Sequence, residues 1–536
     1  MEKKKAFIII VVALLVLSIG ITFAYFIAKT GPGASANANV TTGTVDDLKF
    51  NVSKENISLN INQFNFASGS GNITDTVTAT ASLKANSTKN TATYNYYVYF
   101  QIESNNYMYT TTDKKPEIVL SITGPNGEIT SVDGLKYVSA TNADGTVVKG
   151  FDITEQKSSV IKIADSFEIS STSSTNYTNQ DWVFKVSFIN LDTNQADNEG
   201  KNLTGKVLIQ KEEKELTATD VCPGKSLSDC VIAQYTGIKN SNIYYHDSNL
   251  TNGAGDNSYR FAGASPNNYV CFGSDEATCP TENLYRIIGL IDGKIKLISA
   301  DGATTTMLGT DGGYQNTYQA ANESASNYKG NGDLTKIGTY KWNKIRDNTW
   351  STSTTNTINL NTNYLTYLDS KNTKWKNMIA DTTWYVGGMT GANGRDSNAK
   401  TAYNYELGAN KDATTTVNAK IGLMYVSDYG FAAAPSAWTT ILLNYNDATI
   451  KNENWLYIGL KEWTISRSSD DSEAAFHVND YGYVINADVA YSLRVAVRPS
   501  FSLSSSIKFT SGEGTAVNPI RINLWWGDYA CLGRKG

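Results

Sequence analysis

From Ala6 to Ala28 the chain runs for 23 residues without a single charge. A stretch of that length and composition has one stable form in a bilayer, a helix that satisfies its own backbone polar groups. Lys3, Lys4 and Lys5 precede it and Lys29 closes it. The lysine-rich end belongs in the cytoplasm, so everything beyond Lys29 is expected outside. A signal-peptide core is usually shorter, yet Ala34-Ser35-Ala36 offers a small-residue processing site. Both a retained anchor and a cleaved leader therefore fit residues 1–30. Residues 31–39, made of Gly, Pro, Ala, Ser and Asn, form a linker.

The remaining composition suits an extracellular chain. Charged residues make up only 18%, and Asn, Thr, Ser and Tyr take their place, with 32 Tyr against 17 Phe. Tyr and Thr favour pleated, half-buried strands, while Asn, Ser and Gly supply turns. A net charge of −5 gives no broad basic field for phosphate backbones, so nucleic acid is not an expected partner. Cys222 and Cys230 have the same short spacing as Cys271 and Cys279. Outside the membrane this reads as two local disulfides; the spacing is not that of a zinc knuckle, and the chain has only two histidines. Cys531 is left over.

The length implies more than one domain. Between residues 40 and 213 the apolar residues recur at period two. Ile57, Leu59 and Ile61 form one run; Tyr94, Tyr96, Val98, Phe100 and Ile102 a second; Trp182, Phe184, Val186 and Phe188 a third. Gly124-Pro125-Asn126-Gly127, Asp133-Gly134 and Asp144-Gly145 are turn signals between them. An all-β sandwich of antiparallel strands follows. The charged run Lys211 to Glu215 marks its end. Residues 219–523 mix element types and read as α+β, with 524–536 as a tail. Tyr285 to Ile291 and Lys294 to Ala300 flank Asp292-Gly293, a favoured hairpin turn. Leu365, Leu368, Trp375, Met378 and Ile379 suit one face of an irregular helix, and Gly391 to Asn398 reads as a loop.

Two resemblances refine this outline. Thr22-Phe23-Ala24-Tyr25-Phe26 followed by Thr42-Gly43-Thr44-Val45 resembles the start of camelysin-type biofilm-fibre subunits. That implies a jelly-roll-like sandwich, processing near Ala24 to Phe26, and self-assembly through the sandwich. The present apolar run is longer, and a large domain follows. The sequence Glu462-Trp463-Thr464-Ile465-Ser466-Arg467, with Phe476-His477-Val478, Tyr481-Gly482-Tyr483-Val484 and Val497-Arg498-Pro499-Ser500-Phe501, resembles bacterial surface domains of C-type-lectin-like fold. These are akin to the formylglycine-generating-enzyme architecture. The likeness spans about residues 220–523 and implies a binding head. The cysteine pair that holds copper in those enzymes and the calcium-binding sugar motifs of animal lectins are both absent.

No motif for familiar catalysis occurs. There is no Gly-x-Ser-x-Gly, no Gly-x-x-x-x-Gly-Lys-Ser/Thr and no His-Glu-x-x-His, and His246 is read as an ordinary surface or loop histidine. Asp247 to Asn257 is rich in carboxylate and amide oxygens and is the one stretch that could wrap calcium, although it is not an EF-hand loop. No other cofactor is expected. Seven tryptophans between Trp342 and Trp463 are expected mostly in the core. In the implied lectin-like fold the last strands carry the ligand face, here Ser468 to Arg494. Phe476, His477, Asn479, Tyr481, Asp488, Tyr491 and Arg494 are its candidate contacts, in the alternation of half-exposed strands. The loops near Trp384 and Trp438 are the fallback. The expected function is that of a cell-surface binding or adhesion protein whose ligand is an extracellular glycan or protein. A fibre or matrix subunit is the alternative, and a secreted enzyme a more distant one.

Overall fold

The structure is a computed structural model that describes residues 46–61, 73–156, 159–318, 325–409, 414–490 and 494–524. The apolar run 6–28, Tyr491 and Cys531 lie outside these. No helix among the described residues is long and apolar enough to cross a membrane. The chain divides into two compact units between Lys214 and Glu215, within the charged run.

The first unit is two antiparallel sheets packed face to face. In one, the strands Asp47–Val52, Ile73–Lys84, Thr178–Phe188, Ile118–Gly124, Val147–Asp152 and Lys136–Thr141 lie in that order. In the other the order is Ile57–Asn60, Asn202–Gln210, Ala92–Asn105 and Ser159–Ser171. Period two puts one set of side chains inward: Ile57, Leu59 and Ile61, Tyr96, Val98, Phe100 and Ile102, and Trp182, Phe184, Val186 and Phe188 are all buried. Phe100 and Phe184 stack across the layers at 5.8 Å. The indole Nε1 of Trp182 donates to the Tyr96 hydroxyl at 2.9 Å, which satisfies the one polar atom that burying a tryptophan strands. Gly124 leaves the room this needs, since a Cβ there would stand 2.8 Å from the Trp182 ring.

The second unit is α+β. One six-stranded sheet runs Ile243–His246, Ser258–Phe261, Leu284–Ile291, Lys294–Ser299 and Ser500–Ser502, with Tyr269–Cys271 also paired to Leu284–Ile291. A second runs Tyr314–Thr317, Gly338–Tyr340, Val495–Ala496, Glu462–Arg467, Ala474–Val478 and Val484–Asp488. The hairpin at Asp292-Gly293 forms as expected; both residues take positive φ, 49° and 69°, which this turn type demands. The irregular helix expected over Leu365 to Ile379 forms as two short helices, Leu365–Lys371 and Thr373–Met378, with Ile379 extended at its end; a ten-residue π-helix, Thr355–Tyr364, runs into the first of them. Its asparagines tie it to neighbouring backbone: the Asn359 amide donates to the Leu308 carbonyl at 2.7 Å, and Asn361 to that of Ile421 at 2.9 Å.

The loop expected at Gly391 to Asn398 is instead mostly helix, Gly391–Asp396. The Thr390 hydroxyl caps it by accepting from the Asn393 amide at 3.0 Å. Packing at Gly394 overrides its low helix propensity. Gly394 lies so close to Phe476 that a Cβ would meet the ring at 2.1 Å.

Both disulfides form, Cys222–Cys230 and Cys271–Cys279. Each closes a nine-residue loop, from a sequence separation of 8. Replacing Cys271 and Cys279 together by serine should lower the stability of the second unit by about 2.5 kcal/mol. Urea unfolding followed by tryptophan fluorescence reads this unit, because nine of the ten tryptophans lie in it. A midpoint equal to that of the parent chain would refute the estimate.

Candidate functional site

The strand Leu284–Ile291 is apolar but for one residue. Arg286 stands in it, 7% exposed, directly opposite Tyr269 on the neighbouring strand. Its guanidinium lies between two aromatic faces, 4.3 Å from the Tyr269 ring and 4.5 Å from that of Trp455. Nε donates to Asn268 Oδ1 at 2.7 Å, and the two terminal nitrogens donate to the carbonyls of Trp455 and Pro266, each at 3.1 Å. Asn268 is fully buried and held in turn by the Ile287 carbonyl at 2.8 Å. Burial, aided by the nearby Arg498, pushes the Arg286 guanidinium down to about 10, and it keeps its charge at neutral pH.

Arg286 lines a cleft of about 380 Å³ on the second unit. The cleft is built from loops on a rigid frame: the segment before Tyr269, the turn around Asn331, the helix Ala448–Asn452 with the chain after it, and Thr515. The Cys271–Cys279 bridge fixes the strand that supplies Tyr269. Lys329 and Lys451 are the other cations. The Lys329 ammonium donates to Asn452 Oδ1 at 2.7 Å and sits 5.1 Å over the Tyr457 ring. Burial first, and Lys451 second, hold Lys329 below the usual lysine range.

Asp301 is the only carboxylate lining the cleft, so three positive charges face one negative. Its oxygens are already engaged. Oδ1 accepts from the Gly302 amide at 2.8 Å; Oδ2 accepts from the Gly332 amide at 2.6 Å and the Tyr328 hydroxyl at 2.5 Å. Gly330 and Gly332 permit that approach, because a Cβ would stand 2.3 and 2.8 Å from Oδ2. Among the described residues no carboxylate pairs with Arg286, Lys329 or Lys451, whereas the buried Arg498 is matched by Glu462 at 2.5 Å. The site is a cationic cleft with amides and hydroxyls around its wall.

The expected ligand face is distributed differently. Phe476 and His477 lie on Ala474–Val478, a strand buried at every position. Phe476 is core. His477 packs edge-on to Trp463 at 5.6 Å, and burial pushes it down to about 4. The half-exposed alternation is absent because the Gly391–Asp396 helix packs on this sheet. The Asn479 carbonyl and side chain close a tight turn, accepting from the Gly482 and Tyr481 amides. Tyr481 is 54% exposed. Asp488 pairs with Arg346 at 3.2 Å, and Arg494 is exposed with φ of 59°. None of these residues lines the cleft. Trp384 and Trp438 are each 1% exposed, so neither indole is itself presented to solvent.

The calcium candidate is a self-contained turn. Asp247 accepts from the Asn249 and Leu250 amides, and Asp256 accepts from Ser258 and pairs with Arg260 at 2.8 Å. No group of three or more His, Cys, Asp or Glu side chains is placed to hold a metal among the described residues. His246 is not a surface residue. It is buried between Phe431 and Trp438, its Nδ1 accepting from the Ala254 amide at 3.0 Å, and burial pushes it down to about 3.

Sequence reasoning missed the cleft. The available signal was Arg286 itself, a charge in the middle of Leu284-Tyr285-Arg286-Ile287-Ile288, where an arginine is costly without a structural or binding role. The chain matches no protein-family model, and no curated protein matches it in sequence.

Proposed function

We propose that this is a bacterial cell-surface binding or adhesion protein, held at the membrane or released through residues 6–28. Its second unit is the recognition head, of C-type-lectin-like architecture, and its first is a stalk or spacer sandwich. The cationic cleft carries the reading: a pre-formed concavity with convergent polar groups, framed by loops on a disulfide-fixed scaffold. The two disulfides suit an oxidising, extracellular setting. Binding rather than catalysis is favoured because both histidines are packed in the interior, away from the cleft.

The fibre-subunit alternative has less support. The sandwich's edge strands are short or carry charge: Ile57–Asn60 has four residues, and Ser159–Ser171 carries Lys162, Asp165 and Glu168. Such edges resist strand addition from another copy. The test is to apply the purified full chain to arrays of glycans and extracellular-matrix proteins. Retention on a defined ligand, with the chain monomeric in solution, is expected. Filaments by electron microscopy and no retention would replace this reading with the fibre subunit.

A further inference from the structure

We infer that the cleft binds an acidic saccharide, with Arg286, Lys329 and Lys451 receiving its anionic group. This rests on the recognition-head reading and specifies its ligand. The charge balance carries it first. Three cations line the cleft with one carboxylate, and that carboxylate's oxygens are committed to Gly302, Gly332 and Tyr328. A buried cation in a folded protein normally has a carboxylate partner, as Arg260 and Lys296 have Asp428 here.

Donor capacity carries it further. A guanidinium has five N–H groups, and the protein takes three of those of Arg286. Two remain in a fixed plane, a geometry suited to an incoming carboxylate or phosphate oxygen pair. The aromatic faces do not compete for a stacking ligand, because Tyr269 and Trp455 already flank the guanidinium and Tyr457 lies under Lys329. What remains for the ligand is anion recognition plus neutral hydrogen bonding from Asn331, Asn452, Ser265 and Thr515. A polyhydroxylated ring bearing a negative charge matches that wall. The volume of about 380 Å³ lies in the range of small-ligand pockets.

Carboxylate and phosphate sugars share this chemistry, and the test separates them. Wild-type full chain is titrated with galacturonic acid oligomers, sialyllactose and glucose 6-phosphate, with neutral galactose oligomers as control. Binding to at least one acidic probe, and none to the neutral oligomers, is expected. Raising the salt concentration should weaken it. The first two probes read the carboxylate form and the third the phosphate form. The double variant Lys329→Gln with Lys451→Gln changes two side chains at the cleft wall and should weaken the best probe at least tenfold. Circular dichroism confirms that the variant is folded. Equal binding of neutral oligomers, no binding of any acidic probe, or an unchanged double variant overturns the inference. If the arrays retain the chain on a protein or neutral glycan while the double variant binds as well as wild type, the recognition head stands and this cleft is not its site.

Discussion

Replacing Asp428 by alanine should destabilise the second unit by about 3–5 kcal/mol, the cost of stranding buried charge. Asp428 is 2% exposed on the helix Val426–Ala432, every residue of which is buried. One oxygen meets Arg260 at 3.2 Å and the other meets Lys296 at 2.5 Å. It also accepts from the Tyr425 amide at 2.9 Å, closing the first turn of the helix. Arg260 would keep Asp256, but Lys296 would keep no ion-pair partner, only the more distant Glu406 and the rings of Tyr425 and Trp384, at 4.3 and 5.4 Å. An ammonium there loses its counter-charge without regaining water. Adding Lys296→Met to the alanine variant should therefore recover part of the loss, since it removes the stranded cation. Urea unfolding by tryptophan fluorescence measures both variants. A single variant within 1 kcal/mol of wild type, or a double variant worse than the single, would contradict this account.

Much of the framework could be read before the fold was known, and the reason is local. A strand with one wet face writes its burial into alternate positions, so Tyr96, Val98, Phe100 and Ile102 announced themselves. Asp292-Gly293 needed only two residues to specify a turn. Equal cysteine spacings closed loops too short to depend on the rest of the chain. The failures are those of tertiary context. Phe476 and His477 looked like a half-exposed strand because nothing near them says that a helix seven dozen residues earlier covers that sheet. The same helix was hidden because glycine and asparagine argue for a loop until packing on Phe476 decides otherwise. The cleft joins segments around residues 267, 286, 301, 330, 453 and 515. No window of sequence contains it, and only the isolated charge of Arg286 hinted that something was held there.

Between pH 4.5 and pH 3 the second unit should lose about 2 kcal/mol of stability, after changing little between pH 7 and pH 4.5. Four buried groups produce this shape. Burial lowers His246 to about 3 and His477 to about 4, against an ordinary 6.5. The unfolded chain therefore binds more protons at these positions once the pH falls below 6.5, and acid favours unfolding. Burial raises Glu406 and Glu462 to about 7, against an ordinary 4.5. Their folded forms bind more protons between 7 and 4.5, so acid favours the folded state over that window. Each histidine costs, and each glutamic acid returns, roughly 2–3 kcal/mol there, and the two trends cancel. Below pH 4.5 the unfolded chain protonates its glutamates as well, so their contribution levels off. The histidines continue to favour unfolding down to their folded values. Asp256, held below its ordinary range despite burial by Arg260 and the Ser258 hydroxyl, adds in the same direction. Urea midpoints at pH 7, 4.5 and 3, read by tryptophan fluorescence, test this. His477→Leu removes one proton acceptor and should make the fall below pH 4.5 shallower. A steady decline from pH 7 to 3 would mean the glutamates are ionised in the fold, and an unchanged midpoint at pH 3 would mean the histidines are not insulated from water.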